Sequence, residues 1–119
     1  MDHRITKTQQ LMRDNLHREL SLGGLARSVN LSVWRFSHIF RSDVGMSPIQ
    51  YLRFLRMERA RILLETSFLS IKEIAHNVGL NDESHFVRDF KKTYGTSPTL
   101  YRHSQEAHAS KKSLSNIRQ

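Results

Sequence analysis

One feature constrains this chain more than any other: it contains the same short unit twice. Residues 21–51 read SLGGLARSVNLSVWRFSHIFRSDVGMSPIQY, and residues 70–101 read SIKEIAHNVGLNDESHFVRDFKKTYGTSPTLY. At an offset of 49, Ser21, Ala26, Val29 and Leu31 fall on Ser70, Ala75, Val78 and Leu80. At an offset of 50, Phe36, Phe40, Gly45, Ser47, Pro48 and Tyr51 fall on Phe86, Phe90, Gly95, Ser97, Pro98 and Tyr101. One residue is therefore inserted in the second copy, between Leu80 and Phe86. The matched positions are apolar anchors, glycines and capping residues, the types that specify a fold rather than a surface. Residues 52–69 join the two copies.

The second copy shows the local chemistry more clearly. Ser70 and Glu73 have capping-box spacing, in which each side chain satisfies the other's free backbone N–H. Ile71, Ile74, Ala75 and Val78 follow on one helical face. Gly79 permits the left-handed turn that ends a helix. Leu80 re-enters the core, and Asn81 or Asp82 caps a second helix that buries Phe86 and Phe90. Gly95 marks its end. Ser97 caps a third element with Pro98 at its first position. Two short helices, a tight turn and a small residue (Ala75) where they cross make a helix-turn-helix pattern.

The first copy repeats this plan with weaker chemistry. Ser21 caps, but Gly24 stands in the place of Glu73, and Gly23 and Gly24 each cost about 1 kcal/mol against Ala inside a helix. Leu22, Leu25 and Val29 hold that helix. Asn30 replaces Gly79 and is one of the few other residues that tolerate the left-handed region. Phe36, Ile39 and Phe40 form the inner face of the following helix.

Between the copies, PIQYLRFLRMERARILLET predicts one helix from Pro48 to about Thr66. Leu52, Leu55, Arg59, Ile62 and Leu63 trace its mostly apolar stripe. Nineteen residues span about 28 Å, against about 34–36 Å between major-groove turns on one side of B-DNA. Arg53, Arg56, Arg59 and Arg61 face either solvent or an anion. Residues 5–20 carry a leading helical pattern, with Ile5, Met12, Leu16 and Leu20 inward and Leu11 beside them. Residues 104–119 are polar, and they read as a frayed or disordered tail in which Lys111, Lys112 and Arg118 are solvated or touch phosphate.

Charge decides the kind of partner. Nineteen Lys and Arg oppose eleven Asp and Glu, a net charge of +8, in a chain with a mean hydropathy of −0.54. That excess favours an anionic partner, nucleic acid before acidic membrane. Cysteine is absent, which excludes disulfides, thiolate metal sites and thiol nucleophiles. The seven histidines are scattered without H-E-x-x-H spacing, and no phosphate-cradling glycine loop or G-x-S-x-G elbow is present. No catalytic residue, cofactor or metal site is expected. RNA binding would call for more stacking aromatics than Trp34 alone. A protein-interaction module built on the same helices is the remaining rival.

The downstream half, I-x-x-I-A-x-x-V-G-L followed by S-x-F-x-R-x-F-K-K-x-x-G-x-S-P-x-x-Y, is carried by Ile71 through Tyr101. It resembles the DNA-binding region of the AraC/XylS family of bacterial transcription regulators, and the resemblance covers residues 5–103. It implies an all-α, homeodomain-like fold of two helix-turn-helix subdomains joined by a long linker helix. The expected organisation is a leading helix and first helix-turn-helix over 1–51, the linker over 48–66 and the second helix-turn-helix over 67–103. It also implies double-stranded DNA as partner, RNA polymerase as a second partner, no membrane association, a cytoplasmic place at the bacterial nucleoid and a monomeric isolated region. Family members often join this region to a sensing or dimerising domain, for which this chain has no room; it reads as a short member or an excised piece.

Inward positions define the outward ones. In the first reading helix, Trp34, Ser37, His38 and Arg41 lie opposite Phe36, Ile39 and Phe40. An exposed Trp suits a thymine methyl or a sugar, or else packs on the domain edge. By resemblance, Trp34, Ser37 and His38 match base-contacting positions, while Arg35 and Arg41 reach phosphate. In the second, Glu83, Ser84, Val87, Arg88 and Lys91 remain outside. Arg88 suits a bidentate contact to guanine, with phosphate or a pair with Asp89 as alternatives. Glu83 accepts from a cytosine amino group or simply favours the helix start. His85 reaches the DNA backbone or packs, and Lys91 contacts phosphate. Helix starts at Ser21, Ser47, Ser70 and Ser97 present N–H groups suited to phosphate oxygens. Asp89, where the first copy has Ile39, has no account at this level.

Overall fold

The computed structural model describes the backbone of residues 1–117 and the side chains of residues 1–111. Seven helices and no strand occur among the described residues: α1 (His3–Asp14), α2 (Leu22–Ser28), α3 (Val33–Val44), α4 (Pro48–Thr66), α5 (Ile71–Asn77), α6 (Glu83–Tyr94) and α7 (Pro98–Ile117). They form two compact units, Met1–Arg56 and Met57–Gln119.

The caps read from sequence are in place. Ser21 Oγ accepts from Gly24 N at 3.0 Å, and Ser70 and Glu73 close a full capping box. Asp82, rather than Asn81, caps α6 by accepting from Ser84 N at 2.9 Å. A second capping box was not anticipated: Ser47 Oγ accepts from Gln50 N, and Gln50 Oε1 accepts from Ser47 N at 3.0 Å. The turn inside each helix-turn-helix is a Schellman motif. Leu31 N donates to Ala26 O at 3.0 Å, and Leu80 N donates to Ala75 O at 2.9 Å. The motif requires one left-handed residue; Asn30 has φ 57° and Gly79 has φ 86°. Ala26 and Ala75 are buried at the crossings, where a larger side chain would hold the helices apart.

The first core contains Ile5, Met12, Leu25, Ala26, Val29, Phe36, Phe40, Tyr51, Leu52 and Leu55. The second contains Met57, Ala60, Leu63, Leu64, Ile74, Ala75, Val78, Phe86 and Phe90. The expected linker is therefore no free spacer. Its first half closes the first core, its second half opens the next, and only Arg56 separates Leu55 from Met57. The stripe changes accordingly: Arg59, placed on it from sequence, is exposed, while Met57, Ala60 and Leu64 are buried.

This division lengthens the repeat. Ile5, Thr8 and Met12 are the buried residues of α1, and Met57, Ala60 and Leu64 follow them at an offset of 52. Each unit thus has its own opening helix ahead of its helix-turn-helix, α1 in the first and the second half of α4 in the second. Each opening helix also holds the tyrosine that closes its unit. Arg13 Nη1 donates to Tyr51 Oη at 2.9 Å, and Tyr101 Oη donates to Glu65, which pairs with Arg61 at 3.2 Å.

Two expectations need correction. The leading helix, read over 5–20, ends at Asp14, because Asn15 Nδ2 bonds back to Leu11 O at 2.8 Å and diverts the chain. Leu16 and Leu20 still pack on the core, but from the following loop. Residues 104–117, read as a frayed or disordered tail, continue α7. Low apolar content forecasts a lack of packing. It does not forecast coil, because the core-anchored first turns of α7 already meet the nucleation cost. The side chain of Lys112, and Arg118 altogether, lie outside the described residues.

Candidate nucleic-acid interface

Complete burial of Phe36 and Phe40, and of Phe86 and Phe90, orients α3 and α6. What remains outside is the candidate interface. On α3, Trp34 is 68% exposed and its ring lies 4.0 Å, centroid to centroid, from that of His38. Trp34 therefore stands out from the domain rather than tucking against its edge, and His38 steadies it. Ser37, His38 and Arg41 line one groove of about 380 Å³ with Ser42 and Ser47. The structure thus brings the start of α4 beside the outer face of α3. Arg35 is exposed. Val33 and Ser42 complete this face and were missed, although each lies one helical turn from a residue already chosen, Ser37 and His38 respectively.

On α6, Glu83, Ser84, His85, Arg88 and Lys91 are exposed and Val87 is half-buried. Asp82 performs the cap, so the Glu83 carboxylate points outward uncommitted. Asp89 now has an account: its Oδ2 lies 3.2 Å from His85 Nε2, one turn back along the helix. Neighbours at i and i+1 point apart, and Arg88 forms no ion pair among the described residues. Its guanidinium is free to engage a ligand.

The four helix-start serines divide into two pairs. At Ser47 and Ser70 the backbone N–H is already taken, by Gln50 Oε1 and Glu73 Oε1, each at 3.0 Å. At Ser21 and Ser97 the third helical positions hold Gly24 and Leu100, which offer no acceptor. Their hydroxyls cap Gly24 N and Leu100 N at 3.0 and 3.2 Å.

The linker arginines also divide. Arg53 and Arg59 are exposed. Arg61 pairs with Glu65 at 3.2 Å, and the nearby Tyr101 hydroxyl does most to raise its pKa. Arg56 is half-buried, donates Nη2 to Arg18 O at 3.0 Å, leaves Nε without a partner and has its pKa pushed down by burial. Arg102 had no reading from sequence. Its guanidinium donates to Leu64 O, Ser67 O and Leu69 O at 3.3, 3.3 and 2.7 Å, closing the end of α4 with a cation. No motif marks that task.

No group of three or more potential metal ligands occurs among the described residues, and no helix among them is long and apolar enough to cross a membrane.

Comparison with known proteins locates this arrangement. A family described as "Helix-turn-helix domain" matches residues 25–104. The chain is 35% identical over 103 residues to the arabinose operon regulatory protein of Escherichia coli K12, covering 86% of this chain and 35% of that protein. It is 38% identical over 91 residues to the MmsAB operon regulatory protein of Pseudomonas aeruginosa, covering 76% and 30%. The chain thus spans about a third of the length of these curated relatives. Among solved structures, the C-terminal domain of the response regulator AraT from Geobacillus stearothermophilus superposes with a TM-score of 0.82 at 32% identity, covering 85% of this chain and 84% of that one. The DNA-binding domain of AdpA, solved in complex with a target DNA, superposes with a TM-score of 0.85 at 30% identity, covering 87% and 94%.

Proposed function

The chain belongs to the AraC-type helix-turn-helix family, and from that premise we propose that it is a sequence-specific double-stranded DNA-binding transcription regulator. It inserts α3 and α6 into adjacent major grooves and modulates RNA polymerase at promoters. The observation that carries this reading is the pair of outward faces with free polar groups on helices whose phenylalanines are wholly buried. Trp34, Ser37 and His38 address bases from α3. Glu83, Ser84, Val87 and Arg88 address bases from α6. Arg35, Arg41, His85 and Lys91 address phosphates, joined by the helix starts at Ser21, Ser47, Ser70 and Ser97. Ser21 and Ser97 offer backbone N–H groups, whereas Ser47 and Ser70 contribute hydroxyls. The region acts as a monomer at the nucleoid, without cofactor.

Selection of bound duplexes from a random pool tests the reading. The expected product is one asymmetric site with two conserved blocks about one helical turn apart. Recovery of no consensus, or of single-stranded sequences, would overturn it.

A further inference from the structure

The residue inserted in the second unit has no task in the fold. Two equivalent bonds, Leu31 N to Ala26 O and Leu80 N to Ala75 O, keep the offset of 49 as far as Leu80. The caps of the two reading helices, Ser32 and Asp82, already stand at an offset of 50. The extra residue is therefore Asn81, between the end of the turn and the cap. Asparagine in a turn ordinarily serves one of two structural purposes, tolerance of the left-handed region or capping of the next helix. Asn81 serves neither. Among the described residues, Asn30 is the one residue other than glycine with a positive φ. The cap of α6 belongs to Asp82, whose Oδ1 accepts from Ser84 N and His85 N at 2.9 and 3.4 Å. Asn81 is exposed, and its carboxamide makes no hydrogen bond among the described residues.

Its place adjoins the reading face. Asn81 lines a groove of about 670 Å³ with His76, Asn77 and Glu83, and Glu83 is the first residue of α6. A recognition helix contacts base edges with its N-terminal residues, so a side chain just ahead of that end is within reach of the duplex. On α3 the same end carries the exposed Trp34; at an offset of 50, α6 has only Ser84. The short side chain leaves room that a group reaching from the turn can occupy. A carboxamide holds a donor and an acceptor in one plane, which matches the N6 and N7 pair of adenine in the major groove. The first unit has no residue at this place, so the contact belongs to one half of the site.

We propose that Asn81 is a specificity-determining residue that reads an adenine beside the bases addressed by Glu83 and Ser84. This role rests on the reading of α6 as a helix that enters the major groove.

The test compares the full chain with Asn81→Ala, Asn81→Asp and, on α5 in the same groove, Asn77→Ala. Each is used to select duplexes from a random pool and is then titrated against single-base variants of the wild-type operator. Wild type is expected to favour adenine at one position flanking the α6 block by roughly fivefold or more. Asn81→Ala should lose that preference, with the rest of the consensus and the melting temperature unchanged. Asn81→Asp should turn against adenine, because a carboxylate cannot donate to N7. Asn77→Ala should keep the wild-type preference. An unchanged preference in Asn81→Ala overturns the assignment and leaves the DNA-binding reading standing. An equal loss of affinity on every variant overturns it too, because Asn81 then touches phosphate or supports the fold. So does loss of the same preference in Asn77→Ala, because the groove as a whole then sets it. A wild-type chain that selects no duplex overturns the reading of α6 itself, and the role of Asn81 with it.

Discussion

Arg88 and Asp89 are adjacent in sequence yet belong to different chemistry. Asp89 pairs back to His85, and Arg88 is left free on the outer face of α6. Replacing Arg88 by Ala is therefore expected to cost about 1–3 kcal/mol on the preferred operator and to relax selection at one base pair. Binding measured across a panel of single-base operator variants checks this. An equal loss on every variant would reassign Arg88 to phosphate. Titration behaviour is also a residue-scale property. The Arg4 side chain and backbone N–H hold Asp2 down to about 2, and Ser70 holds Glu73 below the ordinary carboxylate range. Both groups bind protons more readily in the unfolded chain. Each contribution to stability is present above the unfolded pKa of about 4 and is lost as pH falls through the folded pKa, which for Asp2 is about 2. Melting temperature measured from pH 6 downward by circular dichroism should fall through that window. Asp2→Asn, which keeps an N-cap oxygen, should flatten part of the fall. An identical slope in the variant would remove Asp2 from the account.

At the scale of elements, the two glycines of α2 make opposite forecasts from the same propensity. A Cβ on Gly23 would come no closer than 3.7 Å to the mobile end of Arg27. Gly23→Ala should therefore stabilise the chain by about 1 kcal/mol. A Cβ on Gly24 would meet Ser21 Oγ at 2.9 Å, the atom that caps the helix. Gly24→Ala should gain less, or destabilise, as the cap is displaced. Denaturant midpoints of the two variants distinguish these outcomes, and equal gains would show that the cap yields freely. In the second unit, Ser70→Ala removes one side of the capping box and should cost about 1 kcal/mol. The same method measures it.

For the whole molecule, net charge sets the expected behaviour on DNA. Affinity for the selected operator should fall steeply with salt as phosphate-bound cations are released, and a log–log slope near zero would contradict a phosphate-driven interface. The fold that delivers this charge was legible in the chain because its determinants are local. Caps at Ser21, Ser70 and Ser97, left-handed residues at Asn30 and Gly79, and apolar spacing at Phe36/Phe40 and Phe86/Phe90 all act within a few residues. Outward faces followed from inward ones, so the exposed residues of α3 and α6 could be named in advance, while Val33 and Ser42 were overlooked on the same geometry. Other features depended on contacts between distant segments. The split of α4 between two cores, the hold of Arg102 on the end of that helix and the bond from Arg56 to Arg18 O all join positions tens of residues apart. By itself, then, the sequence determined a duplicated pair of capped helix-turn-helix units with a basic surface, because hydrogen bonds and hydrophobic periodicity along a helix are short-range. Tertiary structure alone decided which cations remain free and which apolar groups stay uncovered, because that depends on which distant backbone carbonyls and side chains packing brings within reach.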